Sequence, residues 1–313
     1  QKNRPNIAFI EGHGELSEKE VYDITQTLSK KYVVDRVTIN EQITALNKRI
    51  ERSDSSIYIT SRYDAIVIAK PTQPFSEKDK FIIDQYIMRG GKVLWLIDPV
   101  FASMDSLQSS ESTMGNSLDL KLDDMFFKYG LRLNKNLMLD YNAAAIALRT
   151  GQMGGQAQIE YFRWYYFPLL NAASNSNIVK NINPIKADFV SSIDPVVYDS
   201  DIQKIPLLKT SDYSKISAAP VFISLSLLRQ APDKRMFSQK GQNVAYLLKG
   251  TFESLYANRM SSAIVESEEI GFLSNSLETS MIVVADGDII RNQFHIPKGY
   301  PLPLGFDQYT QVT

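Results

Sequence analysis

Short apolar runs alternating with helical periodicity organise the first half of the chain. Ala65 to Ala69 and Val93 to Ile97 are rich in Ile, Val and Leu, the composition of strands covered on both faces. Between them Ser76 and Asp79 form a capping pair, and Ile82, Ile83, Tyr86 and Ile87 recur at helical spacing. Gly90 and Gly91 then close the segment. Strand, helix and strand within about 35 residues predict a right-handed βαβ crossover with parallel strands. Asn6 to Ile10 reads as an earlier buried strand, followed by the polar turn Glu11-Gly12-His13-Gly14-Glu15. Ser17 with Glu20 opens a helix marked by Val21, Ile24, Leu28 and Tyr32, and Val33 to Ile39 returns as a strand. Ile43, Leu46 and Ile50 suggest a short helix in the polar stretch that follows.

Phe101 to Gly115, rich in Ser, Met and Gln, has the composition of a surface loop at the carboxyl end of a strand. Leu118 to Tyr129 reads as a helix stopped by Gly130, and Leu131 to Asp140 as an extended piece. The rhythm changes after Tyr141. Thr150 to Gln156 is flexible by composition, Tyr161 to Leu170 concentrates aromatic residues, and Asn171 to Asn177 is a polar linker. Beyond it strands dominate, at Ala187 to Val190, Val196 to Tyr198, Val221 to Leu227, Asn243 to Glu253 and Met281 to Ala285. The pattern predicts an α/β protein: a doubly wound, mainly parallel sheet of flavodoxin or amidotransferase type over residues 1–145, and a second, β-richer α/β lobe over 146–313.

Composition narrows the function. The chain has 313 residues, enough for about two domains, and 34 basic against 35 acidic side chains, a balance that gives no footing for nucleic acid. It has no cysteine, which removes disulfides, thiolate metal sites and cysteine nucleophiles, including the one that amidotransferase-type enzymes need. No stretch approaches the roughly 18 apolar residues of a membrane span. The chain starts without Met and stops without a closing element, as a portion cut from a longer polypeptide would, so any membrane anchor would lie outside it.

Glu11, Gly12, His13, Gly14 and Glu15 form the most chemically loaded stretch, because open α/β sheets bind ligands at the carboxyl ends of their strands. His13 with Glu11 or Glu15 has the residue types of an acid–base pair or a metal site, and two glycines with short polar residues equally make a tight structural turn. Gly12 and Gly14 lack the third glycine of a dinucleotide fingerprint, and no GxxxxGK[ST] phosphate loop or GxSxG elbow occurs. No cofactor is implied. Asp98-Pro99 and Asp286-Gly287-Asp288 end strands, as Mg²⁺ carboxylates or as ordinary exits. The aromatics from Tyr161 to Phe167 fit core packing or an interface.

Several segments, in order, resemble one family: IAFIEGHGE (7–15), residues 63–99, residues 118–140, WYYFPLL (164–170), KIPLLKTSD (204–212), VAYLLKGTFESLY (244–256) and VVADGDII (283–290). They are similar to the soluble region of the auxiliary component of ABC transporters associated with bacterial gliding motility, the GldG-like family. The resemblance implies a noncatalytic component on the periplasmic side of the inner membrane, anchored by spans outside this chain. Its partners would be permease and ATPase subunits, and it would recognise those partners or a small solute. No catalytic residue is carried over, and Gly12 to Glu15 is a family marker without an assigned role. The rival expectation is a hydrolase or sugar-processing enzyme using His13 with Glu11 or Glu15.

Overall fold

The apolar runs of the amino-terminal half become parallel strands because the chain covers both of their faces. The computed structural model describes residues 4–51, 57–108, 110–153, 156–197, 201–229, 232–295 and 298–306. Its main sheet is ten-stranded. Nine of the strands are β1 (Asn6–Glu11), β2 (Val33–Thr38), β3 (Ala65–Ala69), β4 (Lys92–Leu96), β5 (Ala143–Met153), β6 (Gln156–Ala172), β7 (Gln203–Lys209), β8 (Asn243–Gly250) and β9 (Thr279–Val284). They lie in the order β5-β6-β7-β8-β9-β4-β3-β1-β2, and the short strand Ile185–Lys186 pairs with β6. The stretch β2-β1-β3-β4-β9 is parallel, whereas β5 to β9 are joined by antiparallel pairings. The mixed α/β class therefore holds, but the sheet is mixed rather than mainly parallel and helices are few.

Two crossovers carry the predicted helices, α1 (Tyr22–Ser29) between β1 and β2 and α2 (Glu77–Met88) between β3 and β4. The Ser76 hydroxyl accepts the Asp79 amide N–H at 3.1 Å and so starts α2, and Ile82, Ile83, Tyr86, Ile87 and Met88 are buried. Each fully buried side chain of this size contributes about 1.5–3 kcal/mol. Asp84, also on α2, is buried with every bond made: it accepts from Tyr129 Oη, Ser254 Oγ, the Leu255 amide and Gln85 Nε2 at 2.7–3.1 Å. The Ser17–Glu20 pair forms as predicted, at 2.7 and 2.9 Å, but it closes a turn ahead of α1 rather than capping it.

Several local expectations give way to pairing. In place of a helix around Ile43, Leu46 and Ile50 the chain forms an antiparallel hairpin, Asn47–Glu51 with Ile57–Ser61. Leu46 is buried while Ile43 and Ile50 are exposed, so the helical spacing never gains a common apolar face to bury. The stretch expected as a loop from Phe101 to Gly115 holds a helical turn at Asp105–Gln108, and Ser112–Ser117 pairs with both Val100–Phe101 and Val221–Ser224. The helix α3 is shorter than expected, Asp123–Lys128, and Leu131–Leu133 and Asn136–Asp140 are separate strands. The stretch expected to be flexible, Thr150 to Gln156, is paired in the β5–β6 hairpin, Thr150 to Met153 in β5 and Gln156 at the start of β6, with Gly154 and Gly155 outside the described residues.

The large core packs around the parallel strands and α2, with Trp95 wholly buried. A second core gathers the aromatic run: Trp164, Tyr165, Tyr166 and Phe167 are buried with Ile146, Phe189, Ile223 and Phe237. Residues on both sides of position 145 share the main sheet. Among the described residues no helix is long and apolar enough to cross a membrane.

Candidate functional site: the carboxyl edge of the parallel strands

Because β1, β3, β4 and β9 run parallel, the turns that leave them lie along one edge of the sheet. The predicted turn follows β1. Gly14 has φ +74°, in the left-handed region that favours glycine, and a Cβ there would stand 2.1 Å from Thr72 Oγ1. The chain after β3 folds over this turn: the amides of Thr72 and Gln73 donate to the His13 carbonyl at 2.8 and 2.9 Å, and Leu16 N–H donates to the Ala69 carbonyl at 2.9 Å.

His13 is buried. Its Nδ1 lies 3.2 Å from Glu15 Oε1, its Nε2 lies 3.0 Å from Asp79 Oδ2, and its ring stacks on Phe75 at 3.8 Å. The His13 amide donates to Glu15 Oε2 at 2.7 Å. Burial pulls the imidazole pKa down, but the bonds to and charges of Glu15 and Asp79 outweigh it, and the net shift is upward. An imidazolium donating from both nitrogens has no lone pair left to take a proton. The structure thus joins His13 to Glu15 and to Asp79, the latter foreseen only as part of the α2 cap. Glu11 turns elsewhere, to Arg36 Nε at 2.5 Å.

This network predicts a pH signature. Since the folded pKa of His13 is raised, its contribution to stability is complete below the ordinary value near 6.5 and is lost as pH rises through the folded value. His13→Asn is expected to cost about 2 kcal/mol in mild acid. Urea unfolding at several pH values should show wild type and variant converging in alkali; a gap that does not change with pH would refute the charged form.

A second cluster lies at the ends of β3, β4 and β9. Lys70, at φ +53°, directs its ammonium to Asp98 Oδ2 at 3.1 Å and also bonds Asp288. Asp98 Oδ1 accepts the Gly287 amide at 2.5 Å. Asp286 is wholly buried and accepts the amides of Asp288 and Asp188 at 2.8 and 3.2 Å. Burial opposes the ammonium, but Asp98 and Asp288 hold Lys70 firmly protonated. Burial, reinforced by Asp288 and against the pull of Lys70, pushes Asp98 up to about 6. Asp286 is pushed well above the usual range by burial and by Asp288, Asp98 and Asp188. Arg291 extends the chain of charges, from Asp288 at 3.3 Å to Glu20 at 3.0 Å.

Asp98, Asp286 and Asp288 were visible as strand-end carboxylates, but Lys70 and Asp188 were not singled out. The only local signal for Lys70 was a charged residue directly after the apolar run AIVIA. Among the described residues no three His, Cys, Asp or Glu side chains are arranged to hold a metal ion. Two hollows lie elsewhere: one beside Phe81, Ile82 and Arg89, the other, about 280 Å³, between Asp124–Lys128 and Ser254–Arg259. Neither is lined by Glu11, His13, Glu15, Lys70 or Asp98.

Comparison with known proteins places this geometry in a lineage. A Borreliella burgdorferi protein described as an uncharacterized protein is 25% identical over 189 residues, which is 57% of this chain and 34% of that protein. The chain therefore spans about a third of the length of that relative. The solved structure of the mmIFT52 N-terminal domain superposes with a TM-score of 0.47 at 9% identity, covering 91% of this chain and 88% of that one. The family model described as ABC-type uncharacterized transport system, an auxiliary component, matches residues 4–313, and the chain belongs to that family.

Proposed function

We propose that the protein is a noncatalytic auxiliary subunit of a bacterial ABC transporter, which binds the permease and ATPase chains and biases their conformational cycle. The observation that carries this reading is the closed carboxyl edge, in an ABC-transport auxiliary family, where open α/β sheets otherwise leave a ligand crevice. His13 is committed to two carboxylates and Lys70 to two more, so neither is poised to react. Of the two pairings open to the hydrolase alternative, Glu11 is turned to Arg36, while Glu15 does bond His13, in a ring whose other nitrogen meets Asp79. A subunit without chemistry acts by binding one transporter state more tightly than another, and that difference in affinity is all the work it can do. The exposed backbone at Gly12 and Gly14 remains a contact candidate on this rim. A periplasmic setting at the inner membrane, anchors beyond this chain and an association with gliding motility complete the proposal.

The test is affinity purification of the full-length protein from membranes in which the permease and ATPase of the same system are coexpressed. Both partners should come through in a fixed ratio. Recovery of neither would overturn the reading, as would turnover of a glycoside or ester by the purified protein that His13→Asn abolishes.

A further inference from the structure

The β5–β6 hairpin has one face in the second core and one face in solvent, and the solvent face has an unusual make-up. Between Ala145↔Arg163 and Arg149↔Ile159 the register is regular, so Ala145, Ala147 and Arg149 share a face with Arg163, Tyr161 and Ile159. The opposite face carries Ile146 and Leu148, which belong to or pack against the second core. On the outward face Ile159 is 51% and Tyr161 is 52% exposed. An outward strand face is ordinarily polar, and large apolar residues there mark a surface that something covers.

That face gives way to packed aromatics at its root and keeps about half of Ile159 and Tyr161 exposed beyond it. Beyond Arg163 the register shifts and the strand enters the second core, where Tyr165 packs against Tyr141 and Phe237 at 6.3 and 5.5 Å between ring centroids. The cover ends with Lys234, whose ammonium lies 3.6 Å from the Tyr213 centroid and 5.6 Å from that of Tyr141. The Arg163 guanidinium also lies over Tyr141, at 5.3 Å. Among the described residues no carboxylate comes within ion-pair distance of Arg149, Arg163 or Lys234. Nearby acids are engaged: Asp233 pairs with Arg235 at 2.6 Å, and Glu160, on the inward face, bonds Thr150 Oγ1 at 2.9 Å. Lys234 and Arg163 rest on rings, Arg163 also donating to the Tyr141 carbonyl at 3.4 Å, and cations without a carboxylate gain charge-assisted bonds when one arrives.

We infer that the outward face of the β5–β6 hairpin, from Lys234 and Arg163 to Ile159, docks an acidic segment of a partner subunit of the transporter. The inference rests on the function proposed above and names its contact surface. Ile159 and Tyr161 supply apolar burial, with Tyr and Arg among the residues that dominate interface energies, and the three cations supply complementarity and register. A second copy is the wrong occupant, because the same face turned on itself opposes like charges.

The test uses the full-length protein coexpressed with the permease and ATPase. A photoreactive benzoylphenylalanine replaces Tyr161 in one sample and Tyr22, on α1, in a control. The Tyr161 probe should capture a permease peptide rich in Asp and Glu, and the Tyr22 probe should not; a crosslink to the ATPase would overturn the surface. R149E with R163E should lower this capture on the order of tenfold, as should high salt, while R149K with R163K retains most of it. Copurification of the transporter chains without a crosslink at Tyr161, or a crosslink to lipid or to a second copy, overturns the surface and leaves the proposed function standing. Absence of copurification overturns both.

Discussion

Replacing Lys70 with methionine lowers stability by about 3–5 kcal/mol at neutral pH, the usual cost of stripping one partner from a buried ion pair. Methionine keeps the length and apolar stem of the side chain, so the loss reads the missing charge. Asp98 and Asp288 lose their shared cation while Asp286 and Asp188 remain beside them. Without the ammonium, the Asp98 carboxyl, already at about 6, keeps only the Gly287 amide against the burial and like charges that oppose its ionised form. The penalty should therefore shrink as pH falls and Asp98 takes up a proton, because a carboxyl with a raised folded pKa weighs against folding only where it is ionised. Urea unfolding of wild type and Lys70→Met from neutral pH into mild acid measures both the size and the slope. A difference under about 1 kcal/mol would mean that the cluster is solvated and the ion pairs contribute little.

Gly14→Ala should cost about 2–5 kcal/mol, combining left-handed backbone strain with steric overlap. The two parts separate through Thr72, whose Oγ1 is the atom that a Cβ would meet at 2.1 Å. In a Thr72→Ala background that overlap is gone, and the cost of Gly14→Ala should fall to about 1–2 kcal/mol, the strain alone. Thr72→Ser keeps the hydroxyl and should give no relief. Equal costs in all three backgrounds would show that the chain leaving β3 moves aside freely, and the turn would then be less rigid than its bonds suggest.

The first four strands and α2 were legible because their signals are local. β1, β3 and β4, covered on both faces, announce themselves as apolar runs, the half-exposed edge strand β2 shows itself only by its valines and threonine, and α2 carries its cap, its period and its glycine stop within one short stretch. The fifth parallel strand was legible as a strand but not as the neighbour of β4, since nothing near Met281 reports that its partner is Val93. The Asn47–Glu51 hairpin was misread for a related reason: three apolar residues at helical spacing lose to backbone pairing when they gain no shared face to bury. The polar turn after β1 was found because its composition is odd, and its glycines are where a left-handed turn needs them. Its bonding was not legible, because the groups that hold His13 from outside the turn are Asp79, positioned by a cap on another helix, and Phe75 stacked on the ring. Lys70 was overlooked because its meaning lies in Asp98 and Asp288, which reach it from the ends of other strands.

The pairing of β9 with β4 has a consequence for biosynthesis. While the chain is still emerging from the ribosome, β1 to β4 can assemble, but β4 remains an open border carrying Val93 and Trp95, and its cover, β9, is made only after β5 to β8. Such a border recruits any strand within reach, so a nascent or truncated polypeptide is a template for aggregation until residues 279–284 arrive. Arrival of β9, rather than the folding of an amino-terminal unit, then sets the moment at which this border is closed.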